Sequence, residues 1–416
     1  MNLEYIDEGT ITSPAGFRAT GIYAGFRRNP KRRDLALLEA DELCVAAGVF
    51  TQNVFCAAPV LLCREYLGEG GYGTARAVLV NSGCANAATG PEGLDNARET
   101  ARIAADVIGC AEEDVLVAST GVIGTQLRLN PFREYLPLLH QTVSDTVEGG
   151  HMAAHAILTT DTIPKECAVR YTSSAAGFEG NAFTVGGMVK GSGMIMPNMA
   201  TMISVITTDA TVAGPAAKAA LLAAVQQSFN KVTVDSDTST NDTCILLASG
   251  VAAREAQPIE QGSPAFDEFS EALAAVCSNL ARKIAVDGEG ASRLVTVTVT
   301  GAATDEEADM AARAIANSPL VKTAICGRDA NWGRIAAAVG KSGAHFRQED
   351  VDIDIMGIPV LRGGLPIEFS EEEATRRFEQ PEITIDVALG AGSCETCIWT
   401  CDFTHEYISI NGDYRS

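Results

Sequence analysis

The order of its hydrophobic periods constrains this chain most. Short apolar or alternating runs, the mark of strands, are interspersed irregularly with a few helical stretches. Residues 46–50, 77–80 and 115–118 read as buried strands. One helix stands between them: Asp95 can cap it, Ala97, Ala101, Ala104 and Ile108 fall at helical spacing, and Gly109 ends it. Residues 160–189 are turn-rich and strand-like. Residues 215–228 then predict a helix with Pro215 in its first turn, and Ser263 with Pro264 starts another that runs to about residue 284. Thr304 with Glu307 forms a capping box for a third, which ends before Pro319. Residues 294–300, 351–356 and 383–389 alternate as half-buried strands. No βαβ unit repeats regularly, so a layered α+β sandwich fits better than a doubly wound parallel sheet and is expected.

At 416 residues the chain has room for about three ordinary domains, or fewer large ones. Its 31 basic and 53 acidic residues leave a net charge of −22, which repels phosphate backbones and excludes a nucleic-acid binder. No apolar run approaches the roughly 18 residues that span a bilayer. The first residues carry Glu4, Asp7 and Glu8 rather than a basic, then apolar, leader. A cytoplasmic protein without a membrane partner is therefore expected. Most of the 12 cysteines stand singly among apolar neighbours, as small buried hydrophobes do.

Several motifs invite chemistry and lose it on context. Gly68, Gly70 and Gly73 match G-x-G-x-x-G, but no strand precedes them and no helix follows. Cys394, Cys397 and Cys401 fall inside a strand-like run without a second cluster, and His151 with His155 reads as a polar helix face. No metal is expected. The basic residues 27–33 read as a solvated loop.

Residues 189–204, VKGSGMIMPNMATMIS, are the richest stretch. Flexible Lys190-Gly191-Ser192-Gly193 and rigid Pro197 precede Ala200-Thr201. A small residue before Thr leaves the peptide carbonyl open to the Thr hydroxyl. Attack there gives an ester, and hydrolysis of that ester frees a Thr α-amine. Such a Thr carries its own general base. Ser119-Thr120-Gly121 ends a strand where a hydroxyl and a backbone N–H can meet a developing oxyanion. Residues 81–87, 159–162, 235–242 and 287–290 also gather small polar groups. Each alone is an ordinary turn; together they suggest loops that carry function.

At these residues the sequence resembles the ornithine acetyltransferase family, the glutamate N-acetyltransferases of arginine biosynthesis. The motifs run through the chain in order: SPAGFRATGIYAGFR, AAGVFTQNVFCAAPV, VNSGCANAATG, ASTGVIG, LTTDTIPK, KGSGMIMPNMATM, TVDSDTSTNDT, VDGEGAS, GRDANWGRI and YISINGDYRS. The resemblance implies a self-cleaving precursor of the Thr/Ser hydrolase-like fold type, with a smaller C-terminal α/β portion. It would split between Ala200 and Thr201 into an α chain, 1–200, and a β chain, 201–416. Thr201 matches the nucleophile, and Thr120 with Gly121 the oxyanion pair. Lys190, Thr201, Glu289, Asn411, Ser416 and either Thr160 or Thr162 match substrate contacts. The resemblance further implies an α2β2 heterotetramer, with the chain end reaching into a neighbouring subunit's site. The implied substrates are N-acetylornithine and glutamate, with no cofactor, and acetyl-CoA stays open as a second donor. Cys84, Ser236, Gly412 and Ser416 depart from the family's usual residues. Two rival readings are a self-cleaving aminopeptidase or amidase and an unprocessed small-molecule binding protein.

Overall fold

The computed structural model describes residues 1–196 and 202–413. Ala200, Thr201 and Ser416 lie outside the described residues.

A nine-stranded sheet runs through most of the chain. Its strands are β1 (Asn2–Tyr5), β2 (Phe17–Ile22), β3 (Leu35–Phe50), β4 (Tyr72–Cys84), β5 (Val115–Val122), β6 (Lys165–Thr172), β7 (Ala182–Lys190), β8 (Ile203–Thr208) and β9 (Thr243–Ala248). Their order is β1-β6-β7-β8-β9-β3-β4-β5, with β2 also on β3. Only β4/β5 and β8/β9 are parallel within it. A second, six-stranded sheet holds β10 (Leu294–Ala302), β11 (Asp352–Ile355), β12 (Ile358–Arg362), β13 (Leu365–Pro366), β14 (Glu382–Ala388) and β15 (Cys394–Cys401). The mixed pairing is the expected α+β arrangement, and the second sheet is the expected smaller C-terminal portion.

Helices α1 (Ala58–Leu67), α2 (Gly90–Ile108), α3 (Asn130–Thr142) and α4 (Val147–Ala156) close one core of the large sheet. Helices α5 (Gly214–Gln227) and α6 (Pro264–Val286) close another. Strand periodicity assigns side chains between them. On β9, Ile245 and Leu247 join the first core, while Cys244, Leu246 and Ala248 join the second. Burial on both faces is why this strand reads as an unbroken apolar run. Helices α7 (Asp305–Ala316), α8 (Pro319–Cys326), α9 (Trp332–Gly340) and α10 (Glu371–Arg377) pack with the smaller sheet around a third core. Helix α11 (His405–Asp413) follows β15.

Several expectations need correction. Asp95 does not cap α2, which begins at Gly90 with Pro91 in its first turn. Strand β3 reaches back to Leu35, well before residue 46; Glu39, Asp41 and Glu42, near a register shift between Glu39 and Cys44, interrupt the apolar run and hide its first half. Two helices, α1 and α2, not one, stand between the strands read at 46–50, 77–80 and 115–118, and α3 and α4 follow them unpredicted. Pro137 inside α3 and the Gly149-Gly150 pair in α4 weaken their signals. Those glycines serve close packing: a Cβ on Gly149 would stand 2.6 Å from Ala19 O, and one on Gly150 2.4 Å from Thr10 Oγ1. The predicted caps at Ser263 and Thr304 are present; each hydroxyl accepts a backbone N–H. The glycine motif at residues 68–73 joins α1 to β4, the reverse of a dinucleotide turn.

Candidate active site

Charge is buried where β6 begins. Lys165 is fully buried, and its Nζ donates to Asp161 Oδ1 at 2.7 Å and Asp287 Oδ2 at 2.5 Å. Asp161 also accepts the Gly191 N–H at 2.7 Å and the Thr159 N–H at 2.9 Å. Lys190 ends β7 opposite Ile203, and its Nζ stands 3.9 Å from Asp161 Oδ2. Burial alone would raise the Asp161 carboxyl, but Lys190 and Lys165 outweigh it and hold it far below the usual carboxylate range. Burial pulls Lys190 down, and Asp161 opposes that. Two cations thus face two carboxylates out of water, the condition under which buried charge is tolerated.

A second set of carboxylates brackets the stretch that carries Ala200 and Thr201. Asp235 accepts the Met194 N–H at 2.6 Å and the Ile195 N–H at 2.8 Å. Asp242 accepts the Met202 N–H at 3.0 Å, and the Thr243 N–H donates to Met202 O at 2.9 Å. Asp242 is 3% exposed. Burial pushes its carboxyl well above the usual range, against the Met202 N–H, Lys190 and the Ser239 and Thr51 hydroxyls.

Asn241 extends this bracket to β5. Its amide donates to Ser119 O at 2.8 Å and Ala85 O at 2.6 Å. Thr120 follows, half-buried, and its hydroxyl has no hydrogen-bond partner among the described residues. Gly121 has φ +131°, and a Cβ there would stand 2.4 Å from Gly83 C and 2.7 Å from Cys84 N. Only glycine fits this close backbone approach.

The 287–290 loop completes the cluster. The Glu289 N–H donates to Ser192 O at 3.0 Å, and Ser192 Oγ donates to Asp287 O at 2.7 Å. The buried Glu289 carboxyl lies against Gly193, where a Cβ would stand 2.3 Å away. Asn411 Nδ2 donates to Glu289 Oε2 at 2.8 Å. Within its own chain Asn411 thus reaches Glu289.

The structure separates the two threonines. Thr160 is half-buried beside Gly121 in a cleft of about 570 Å³. Thr162 lines a different cleft, and both its N–H and its hydroxyl donate to Asp287. The basic loop is not simply solvated. Arg27 donates to Leu158 O, Arg32 to Thr159 O and Asp161 O at 3.1 Å each, and Arg33 to Gly21 O at 2.8 Å.

Asp161, Lys165, Asp287, Asp235 and Asp242 had no assigned role in the sequence reading. Their signal was present, since each falls inside a polar stretch or quoted motif. Which of those charges are buried is a tertiary fact. Among the described residues no group of three or more His, Cys, Asp or Glu could hold a metal. Cys394, Cys397 and Cys401 lie on β15, where the three-residue step sends Cys394 and Cys397 to opposite faces. No described helix is long and apolar enough to cross a membrane.

Thr120 and Gly121 thus end β5, and the buried Lys190 ends β7. The class is an acyl-transferring enzyme. The ArgJ family model matches residues 18–416. The arginine biosynthesis bifunctional protein ArgJ of Symbiobacterium thermophilum is 46% identical over 98% of this chain and 99% of its own. Its namesake from Dehalococcoides mccartyi is 44% identical over 100% and 99%. A crystal structure of the Bacillus halodurans ArgJ protein aligns with 45% identity and a TM-score of 0.48, covering 50% of this chain and 97% of its own. The chain belongs to the ArgJ family, acetyl-transferring enzymes of arginine biosynthesis.

Proposed function

We propose that this enzyme moves the acetyl group of N-acetylornithine to glutamate through an acetyl-Thr201 ester. The chain first cleaves itself between Ala200 and Thr201, giving an α chain of residues 1–200 and a β chain of residues 201–416. The observation that carries this reading is the bracket around the scissile stretch: Asp235 holds Met194 and Ile195, and Asp242 holds Met202. Fixing both flanks favours attack by a hydroxyl on its own preceding carbonyl.

In the mature site the Thr201 α-amine takes the hydroxyl proton. The oxygen attacks the acetyl carbonyl while Thr120 Oγ1 and the Gly121 N–H hold the oxyanion, each donor contributing about 3 kcal/mol. The C–N bond breaks, and ornithine leaves with the proton held on the amine. Glutamate's amine then attacks the ester, the C–O bond breaks, and Thr201 regains its proton as N-acetylglutamate departs. This is ping-pong chemistry and needs neither metal nor redox cofactor. Glu289, oriented by Asn411, meets the ornithine ammonium; Lys190 suits a carboxylate or the oxyanion. Thr160 is the substrate-facing threonine, because Asp287 occupies Thr162. Ser416 supplies a further contact. The relatives are named bifunctional, which supports acetyl-CoA as a second donor. The working assembly is an α2β2 heterotetramer in the cytoplasm.

The test is Thr201→Ala against Thr201→Ser on a denaturing gel, with transfer assayed alongside. Thr201→Ala should remain one uncleaved, inactive chain, and Thr201→Ser should cleave and keep some activity. Efficient cleavage of Thr201→Ala would overturn the nucleophile assignment.

A further inference from the structure

The chain carries −22 overall, yet five of the seven residues 27–33 are cations. This loop folds over Gly83, where a Cβ would stand 3.1 Å from Arg27 Cγ and Phe26 O. Arg27, Arg28 and Arg32 line the 570 Å³ cleft together with Gly121 and Thr160, and none of the described residues lining it is a carboxylate. The larger cleft of about 860 Å³ differs, mixing Lys31, Arg32 and Arg33 with Glu8, Glu148 and Glu166. A cleft whose described charges are all cationic, on an acidic molecule, focuses anions from solution. Its volume falls in the range of small-molecule sites, roughly 300–1,000 Å³.

The arginines differ in what they have left to give. Arg27 and Arg32 are fastened to the carbonyls of residues 158, 159 and 161. Arg28 is exposed and makes no hydrogen bond or ion pair with a described residue.

A ping-pong site faces a charge conflict. N-acetylornithine brings a side-chain cation, which Glu289 suits. Glutamate brings a side-chain carboxylate, which Glu289 repels. A nucleotide thioester donor would bring phosphates. Lys190 is 7% exposed and already leans on Asp161. A cation outside the Glu289 corner is needed. Resting on the acetyl-transfer reading above, we infer that the Arg27–Arg28–Arg32 cleft is the anion-binding arm of this site. It takes an anion that N-acetylornithine lacks: the γ-carboxylate of the acceptor or the phosphates of a coenzyme A donor. Arg28 is its free cation.

The test compares wild type with Arg28→Gln and Arg28→Glu, measuring KM for N-acetylornithine, glutamate and acetyl-CoA separately. Loss of one charge-assisted contact should raise the KM of the bound anion about tenfold or more, most in Arg28→Glu. The N-acetylornithine KM is the internal reference and should stay within twofold. A glutamate rise with either donor identifies the carboxylate; a rise for acetyl-CoA alone identifies phosphate. Calorimetric binding of glutamate and of coenzyme A needs no turnover, and Arg28→Glu should weaken one of them alike. Unchanged KM and binding for both anions would overturn the arm, as would an equal rise for N-acetylornithine. If the transfer reading alone is wrong, wild type moves no acetyl from N-acetylornithine while the calorimetric contrast survives.

Discussion

Asp242 shows how one side chain can serve a neighbour through the backbone. Its carboxyl holds the N–H that follows Thr201, and it does so almost out of water. Burial raises its pKa, so the fold keeps a proton that the unfolded chain releases above about pH 4. From that pH upward, folding must retain the proton, and stability falls by up to about 1.4 kcal/mol per pH unit until the folded-state value is reached. Asn keeps the acceptor oxygen and cannot ionise. Asp242→Asn should therefore gain melting temperature relative to wild type as pH rises from 5 to 8, which parallel thermal scans would read. A difference that stays constant with pH would show that Asp242 is ionised in the fold.

At the scale of elements, the ends of β4 and β5 meet with no room for a side chain. Gly121→Ala places a Cβ against Gly83 and Cys84 backbone atoms, which cannot rotate away as a side chain would. It also sets alanine at a φ near +131°, at a cost of about 1–3 kcal/mol. Both a lower melting temperature and a transfer rate down about a hundredfold or more are expected, since the Gly121 N–H moves with its strand. Wild-type values for both would remove Gly121 from the oxyanion pair. Much of this level was legible in the sequence. The irregular order of strand and helix periods announced α+β layering, and the Ser263 and Thr304 caps marked helix starts correctly. What escaped had physical causes. Close packing overrides poor propensity at Gly149 and Gly150, and charged residues hide the first half of β3. Burial of Asp161, Lys165 and Asp287 depends on loops over 120 residues apart in sequence meeting in space. Period and spacing do not carry that. The polar stretches could be found, but not which of their charges face one another.

Across the whole molecule, the proposed cleavage point lies in sequence between two strands of one sheet. β7 precedes it and β8 follows it, and the two pair from Val185–Thr208 to Lys190–Ile203. β3 likewise pairs β9 across the divide. The chains made by cleavage would share cores and ladders, so cutting costs the fold little. The chain end matters differently. Asn411 touches Glu289, and Ser416 is proposed to touch substrate, although chain ends are commonly dispensable. Deleting residues 412–416 should leave self-cleavage intact and lower transfer about tenfold or more, the worth of one hydrogen bond to a charged group. Unchanged transfer kinetics would make the tail a passive terminus. The central claim is that the acetyl group rests on Thr201 between donor and acceptor. Mass spectrometry of the cleaved protein, incubated with N-acetylornithine in the absence of glutamate, tests it directly. One acetyl group should appear on the first residue of the β chain, be lost when glutamate is added, and be matched by the N-acetylglutamate formed. Transfer that proceeds at full rate with no acetyl ever found on Thr201 would contradict it.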